Sequence, residues 1–150
     1  MNKDGLFWIK AGAVLGAIAV VCGSFGAHML PEFLMEKYAG QTREVLGQQI
    51  PAAQKYLADF KTAAEYEMYH SLALLAVGLL SLHGSSWSLR LAGRSFLFGS
   101  IIFSGSLYLL VLTGMRWLGA VTPFGGVLFI IGWAALFYAT MQMPRSTSAA

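Results

Sequence analysis

The sequence predicts an all-α integral membrane protein with four transmembrane helices in a compact bundle. Of its 150 residues, 57% are hydrophobic and only 11% are charged, whereas soluble domains average roughly 25% charged residues. The apolar residues form four long runs, at about 11–30, 63–82, 91–113 and 119–141. A helix of about 20 residues crosses the roughly 30 Å hydrocarbon core of a bilayer. We therefore treat residues 1–150 as one transmembrane domain.

The first run, Ala11–Leu30, carries no formal charge, and His28 is its only basic residue. Its small residues recur every three or four positions and include Gly12, Gly16 and Gly23. This spacing places them along one side of a helix, where another helix backbone can approach closely. The pattern predicts a helix-packing face, with a ligand groove as the alternative.

Residues 31–61 form the only long polar stretch and predict a polar, amphipathic connection between the first two spans. Charged residues alternate there with regularly spaced apolar ones, which favours short interfacial helices over disorder. Beyond Pro51, the 3–4 spacing of Tyr56, Leu57 and Phe60 indicates that the second span extends past the bilayer. The connection is interpreted either as a docking surface or as a solvated cap.

The second run carries its polar residues in its opening turns: Glu65, Tyr66, Glu67, Tyr69 and His70. Ionisable groups in a membrane helix are costly and therefore indicate partners or a function. Spacings of three and four residues place Tyr66 and Glu67 beside His70 on the helix surface. This run is the centre of the predicted site.

The third and fourth runs are joined by a short turn and continue the same polar end of the bundle. Ser104 and Tyr108 lie near the end of the third run, and Thr122 lies near the start of the fourth. Pro123 can occupy the first turn of a helix without breaking it. A short polar tail, 142–150, follows. The predicted helix-packing positions in these two runs are Gly93, Ser100, Gly125, Gly126 and Gly132.

Three segments resemble a known family: Gly23–Leu30 (GSFGAHML), Thr62–Leu75 (TAAEYEMYHSLALL) and Gly93–Trp133, which contains FSGSLYLL and TPFGG. The chain resembles the small membrane proteins typified by bacterial YgdD and YwdK, which have mitochondrial relatives. The resemblance covers all four runs and implies a four-helix membrane protein, but no activity, because the family is a domain of unknown function. The connection at Leu34–Lys55 is longer than is usual in that family.

The polar residues of all four runs gather at one membrane side, and three hypotheses compete for them. The first is a structural hydrogen-bond network that holds the helices in register. The second is a metal site of His28, His70 and Glu67. The third is a haem or quinone site that uses His28 and His70. The candidates for the buried polar network are His28, Glu65, Tyr66, Glu67, Tyr69, His70, Ser104, Tyr108 and Thr122.

The sequence contains none of the common catalytic motifs that we sought: HExxH, CxxC, a glycine-rich phosphate loop, or the Ser-His-Asp order of a catalytic triad. We therefore expect a non-enzymatic interaction, accessory-subunit or assembly role, with no cofactor. The lipid bilayer is the first expected partner, with a homo-oligomer or a larger membrane complex as the second. An oligomeric small-molecule transporter or channel is a further alternative. Nucleic acid is not expected, because the net charge of +3 is not gathered into a basic patch.

The predicted location is the bacterial inner membrane, with both termini in the cytoplasm. Lys and Arg residues divide evenly between the two sides of the predicted spans. The short second connection nevertheless holds Arg90 and Arg94 close together. Because cytoplasmic loops are enriched in Lys and Arg, this connection is assigned to the cytoplasm.

Overall fold

The computed structural model describes residues 2–142 and folds them into five α-helices and one β-hairpin. Residues 143–150, which hold most of the predicted polar tail, lie outside the described residues. The elements are α1 (Lys3–His28), α2 (Leu30–Lys37), β1 (Thr42–Val45), β2 (Gln48–Pro51), α3 (Ala52–His83), α4 (Trp87–Thr113) and α5 (Leu118–Met141).

Three helices of the described chain, α1, α4 and α5, are long and apolar enough to cross a membrane. The longest helix, α3, has 32 residues but is not among them, because its first half carries charged residues such as Lys61, Glu65 and Glu67. It begins at Ala52 rather than near residue 63, so the predicted extension past the second apolar run is part of one continuous helix.

Consecutive long helices pack side by side and antiparallel: α1 on α3, α3 on α4, and α4 on α5. At one end, Asn2 Nδ2 donates to the Ser81 carbonyl oxygen at 2.9 Å, and Ser88 Oγ donates to Gln142 Oε1 at 3.2 Å. We call this the terminal end. At the other end, here the hairpin end, α2 and the β-hairpin cover the bundle.

Small residues let α1 and α3 approach backbone to backbone. The seam on α1 repeats every seven residues through Gly5, Gly12 and Ala19. A Cβ added to Gly12 would lie 2.7 Å from the Ser71 carbonyl oxygen. The expected packing face on α1 is therefore covered by α3 within the same chain. Gly23 lies beside this seam with nothing within 4 Å of an added Cβ, so its prediction as a packing position is wrong.

Glycines also accept aromatic rings between α4 and its neighbours. Gly93 faces the Trp8 ring, and Gly132 faces the Phe96 ring. Gly125 meets the backbone of α4, while Ser100 is buried and donates to its own helix, to the Phe96 carbonyl oxygen. Gly126 was also predicted as a packing position, and this is wrong, because an added Cβ there would meet nothing within 4 Å.

The connection between α1 and α3 contains a β-hairpin where the sequence predicted only short helices. β1 pairs antiparallel with β2, from Thr42 opposite Pro51 to Val45 opposite Gln48. The two-residue turn, Leu46 and Gly47, has φ angles of 51° and 78°. Positive φ at both positions is the type I′ geometry that suits a hairpin. Leucine rarely adopts it, which hid the turn from the sequence.

Side chains from α2 and the hairpin fix this cap to the bundle. The Tyr38 hydroxyl donates to the Val111 carbonyl oxygen at 2.9 Å, and Lys37 Nζ donates to the Leu112 carbonyl oxygen. Arg43 donates two hydrogen bonds to the Tyr56 hydroxyl. Burial raises the pKa of the Tyr38 phenol, and nearby Tyr56 adds to the increase, whereas Arg43 opposes it. The cap is thus a packed part of the fold.

Candidate functional site

The structure separates the predicted polar network into buried and exposed members. Glu67, His70, Ser104 and Thr122 are buried, and Tyr108 is half-buried. Four other candidates are exposed, which corrects their prediction as buried residues. The exposed candidates are His28, Glu65, Tyr66 and Tyr69.

Helical geometry explains why these four side chains are exposed. Gly26 of α1 is buried, and a residue two positions later points about 200° away around a helix with 3.6 residues per turn. His28 therefore faces outward. The same offset separates exposed Glu65 from buried Glu67 on α3. Tyr66 and Tyr69 lie between these two directions.

The buried polar residues make three separate contacts rather than one network. The Tyr108 hydroxyl donates to Glu67 Oε2 at 2.7 Å. Ser104 Oγ donates to the Ala63 carbonyl oxygen at 2.8 Å, so both contacts join α4 to α3. The Ser106 and Thr122 hydroxyls are 2.8 Å apart and join α4 to α5.

His70 lies apart from these contacts, between α3, α4 and α5. Its Nδ1 is 2.7 Å from the Tyr66 carbonyl oxygen. Because a carbonyl oxygen only accepts, Nδ1 carries the proton. Nε2 accepts a hydrogen bond from Trp133 Nε1 at 3.3 Å, as expected for neutral imidazole. The ring stacks on Phe129 with centroids 3.4 Å apart and planes 4° apart. Packing and hydrogen bonds thus fix the tautomer and orientation of His70.

His70 forms part of an open cavity of about 730 Å³ between α3 and α5, which we call the aromatic groove. Phe103 of α4 also contributes to its wall. Trp133 and Tyr69 are about half exposed at its opening. The lining contains no charged side chain. The lining residues are Tyr66, Tyr69, His70, Phe103, Pro123, Gly126, Val127, Phe129, Ile130 and Trp133.

Among His, Cys, Asp and Glu, the groove lining contains only His70. Within residues 2–142, no group of three or more His, Cys, Asp or Glu side chains is placed to hold a metal ion. Of the three metal candidates, exposed His28 is not among the lining residues, and Glu67 bonds Tyr108 outside the groove. His70 Nε2 remains as an oriented nitrogen acceptor among aromatic rings.

Sequence reasoning found Tyr66, Tyr69 and His70 but missed most of the groove wall. Phe103, Phe129 and Ile130 lie in long apolar helices, where a groove residue and a lipid-facing residue look alike. Trp133 offered one signal. Tryptophan concentrates at membrane interfaces, whereas Trp133 lies eight residues before the end of α5 at Met141.

Comparison with known proteins identifies relatives along most of the chain. Residues 22–126 match the family described as "Protein of unknown function (DUF423)". A UPF0382 membrane protein of Staphylococcus epidermidis is 42% identical, covering 90% of this chain and 95% of its own. One from Staphylococcus saprophyticus is 40% identical, covering 91% and 98%. The UPF0382 membrane protein YwdK of Bacillus subtilis is 38% identical, covering 90% and 96%. No solved structure matches.

Proposed function

The chain belongs to the DUF423 family of membrane proteins, and we propose that it holds a small lipid-phase molecule in the aromatic groove. Its role is non-enzymatic: it is an accessory protein that binds a membrane component. The observation that carries this proposal is His70, whose Nε2 is an oriented hydrogen-bond acceptor in a largely aromatic groove that opens outward.

All four long helices cross the membrane in this proposal. α3 packs antiparallel between α1 and α4, and its Ser81 meets Asn2 of α1 at the terminal end. A bilayer that surrounds α1 and α4 therefore surrounds α3 as well. Its charged first turns extend beyond the hydrocarbon at the hairpin end, where Lys55 pairs with Asp59.

We propose the inner membrane as the location, with the terminal end in the cytoplasm, because Arg90 and Arg94 lie at the start of α4 and cytoplasmic segments are enriched in Lys and Arg. A reporter fused after Arg90 should give a cytoplasmic signal, and a reporter inserted at Gly47 in the hairpin should not. The reverse pattern would invert the orientation. Equal signals from both fusions would contradict the crossing of α3.

The size and lining of the groove define the class of ligand. Its volume of about 730 Å³ lies within the roughly 300–1,000 Å³ of small-molecule sites. Aromatic walls without a charged side chain suit a neutral, ring-containing molecule from the lipid phase. Haem is disfavoured, because its propionates need cationic partners and no Lys or Arg lines the groove.

The acceptor at His70 adds a polar requirement. Nε2 carries no proton, so it binds a ligand that donates from a hydroxyl or an N–H group. The present donor, Trp133 Nε1, is 3.3 Å from Nε2, and a ligand hydroxyl can replace it. A hydroquinone meets both requirements. A quinone, which only accepts, does not bond Nε2.

Filling the groove tests the proposal. Gly126 lines the groove, and an added Cβ there meets nothing within 4 Å, so Gly126→Leu should occupy ligand space without disturbing helix packing. Gly23→Leu is the matched control, because Gly23 is equally open but lies on α1. We expect native mass spectrometry to detect a small molecule on the wild type and on Gly23→Leu, and to find it lost from Gly126→Leu. Equal retention by both variants would reject the groove as the site.

A further inference from the structure

We propose that Glu67 is an intramembrane proton-binding site, with Tyr108 as its hydrogen-bond partner. The site lies outside the aromatic groove, so it does not depend on a ligand there. It does rest on the proposal that α3 crosses the membrane. Glu67 faces the junction of α1, α3 and α4, whereas His70, one turn later, faces α5.

Burial without a countercharge is the first observation. Glu67 is only 4% exposed, and the Tyr108 hydroxyl donates to Oε2. The ion pairs of residues 2–142 are Lys55 with Asp59 and Arg90 with Asp4, so Glu67 pairs with no Lys, Arg or His. An isolated ionised carboxylate in apolar surroundings is costly, whereas the neutral acid needs no countercharge.

Each helix around Glu67 contributes only neutral groups. From α1, Cys22 packs against the same buried cluster as Tyr108. From α4, Tyr108 itself is the partner, and it packs on Phe60 with ring centroids 4.7 Å apart. On α3, the nearest ionisable residue one turn away is His70, which is neutral and turned into the groove.

The presence of glutamate rather than glutamine at position 67 indicates a proton-binding site rather than a purely structural hydrogen bond. If Glu67 served only to accept a hydrogen bond from Tyr108, glutamine would do so at lower cost. A carboxyl group adds the ability to take up and release a proton, and carboxyl groups inside membrane helices mark proton pathways in many membrane proteins. Tyr108 can both donate and accept, so it hydrogen-bonds either form of Glu67.

Carbodiimide labelling of the full-length protein in liposomes tests the proposal. Dicyclohexylcarbodiimide takes the proton of a carboxylic acid, and the carboxylate oxygen adds to its carbon; acyl migration then leaves a stable N-acylurea with no group lost. We expect peptide mass spectrometry at neutral pH to find the adduct on Glu67 and none on Glu65, two residues away but exposed. Labelling of Glu65 and Glu67 alike would reject a special site.

Infrared difference spectra, wild type minus Glu67→Gln, supply a readout that does not depend on reagent access. We expect the C=O band of a protonated acid at neutral pH and its replacement by carboxylate bands as pH rises. Tyr108→Phe removes a donor that stabilises the carboxylate, so the replacement should move to higher pH. Glu65→Gln should leave the band unchanged. Carboxylate bands at neutral pH would overturn the proposal, and so would an acid band that never titrates in the folded protein.

Discussion

Gly125→Ala should destabilise the protein strongly, although it adds only one methyl group, and more than Gly126→Ala does. The added Cβ would lie 2.5 Å from the Phe103 backbone nitrogen and 2.8 Å from its Cα. Backbone atoms in a packed helix cannot move aside as a flexible side chain can. Overpacking costs typically 1–3 kcal/mol, and we expect a loss of about 3 kcal/mol of unfolding free energy, because α4 and α5 must separate.

Gly126→Ala is the control for this prediction, because it is the neighbouring residue of the same helix and has open space around it. Alanine is the better helix former by up to about 1 kcal/mol, so this variant should be as stable as the wild type or slightly more stable. Unfolding with denaturant in mixed micelles measures both variants. Equal losses at the two positions would show that the α4–α5 contact is placed incorrectly.

His70→Phe should abolish most hydroquinone binding and leave the fold intact. Phenylalanine preserves the stacking on Phe129 but removes the Nε2 acceptor. The ligand hydroxyl would then lack its partner. A buried unpaired donor costs about 1–3 kcal/mol, so we expect affinity to fall by roughly tenfold or more.

Calorimetric titration with a short-chain hydroquinone measures this loss. The dimethyl ether of the same compound is the matched ligand, because it retains the ring but cannot donate a hydrogen bond. It should bind the wild type and His70→Phe equally weakly. Tyr138→Phe is the protein control, since Tyr138 is exposed and does not line the groove. Equal affinity of the hydroquinone for His70→Phe and for the wild type would show that His70 does not bind the ligand.

The membrane class followed from composition and from the length of the apolar runs, and the relatives are likewise membrane proteins; the structure shows the helices. The long apolar runs predicted α1, α4 and α5, because those segments contain few charged residues. The start of α3 and the hairpin were harder to predict. Charged residues obscure the first turns of α3, and Leu46 holds a conformation that asparagine or glycine usually supplies.

In the candidate site, Glu67 and His70 could be predicted from the sequence, because an ionisable residue in a membrane helix is costly and therefore indicates a partner or a function. The error at His28 had a different cause. The position of His28 along α1 was predicted from the sequence, but the side of the helix on which it lies was not considered. The residues of α1 that pack on α3 repeat every seven positions, and His28 lies on the opposite side of the helix. The groove wall was missed because its side chains come from α3, α4 and α5, and only their packing distinguishes groove residues from lipid-facing ones.

An experimental structure of the protein extracted with its native lipids would test the central claim most directly. We predict density for a small molecule in the aromatic groove, with a polar atom about 3 Å from His70 Nε2 and a ring against Phe103 and Trp133. An acyl chain without a polar contact to His70, or a transmembrane helix of another protein in the groove, would contradict the account.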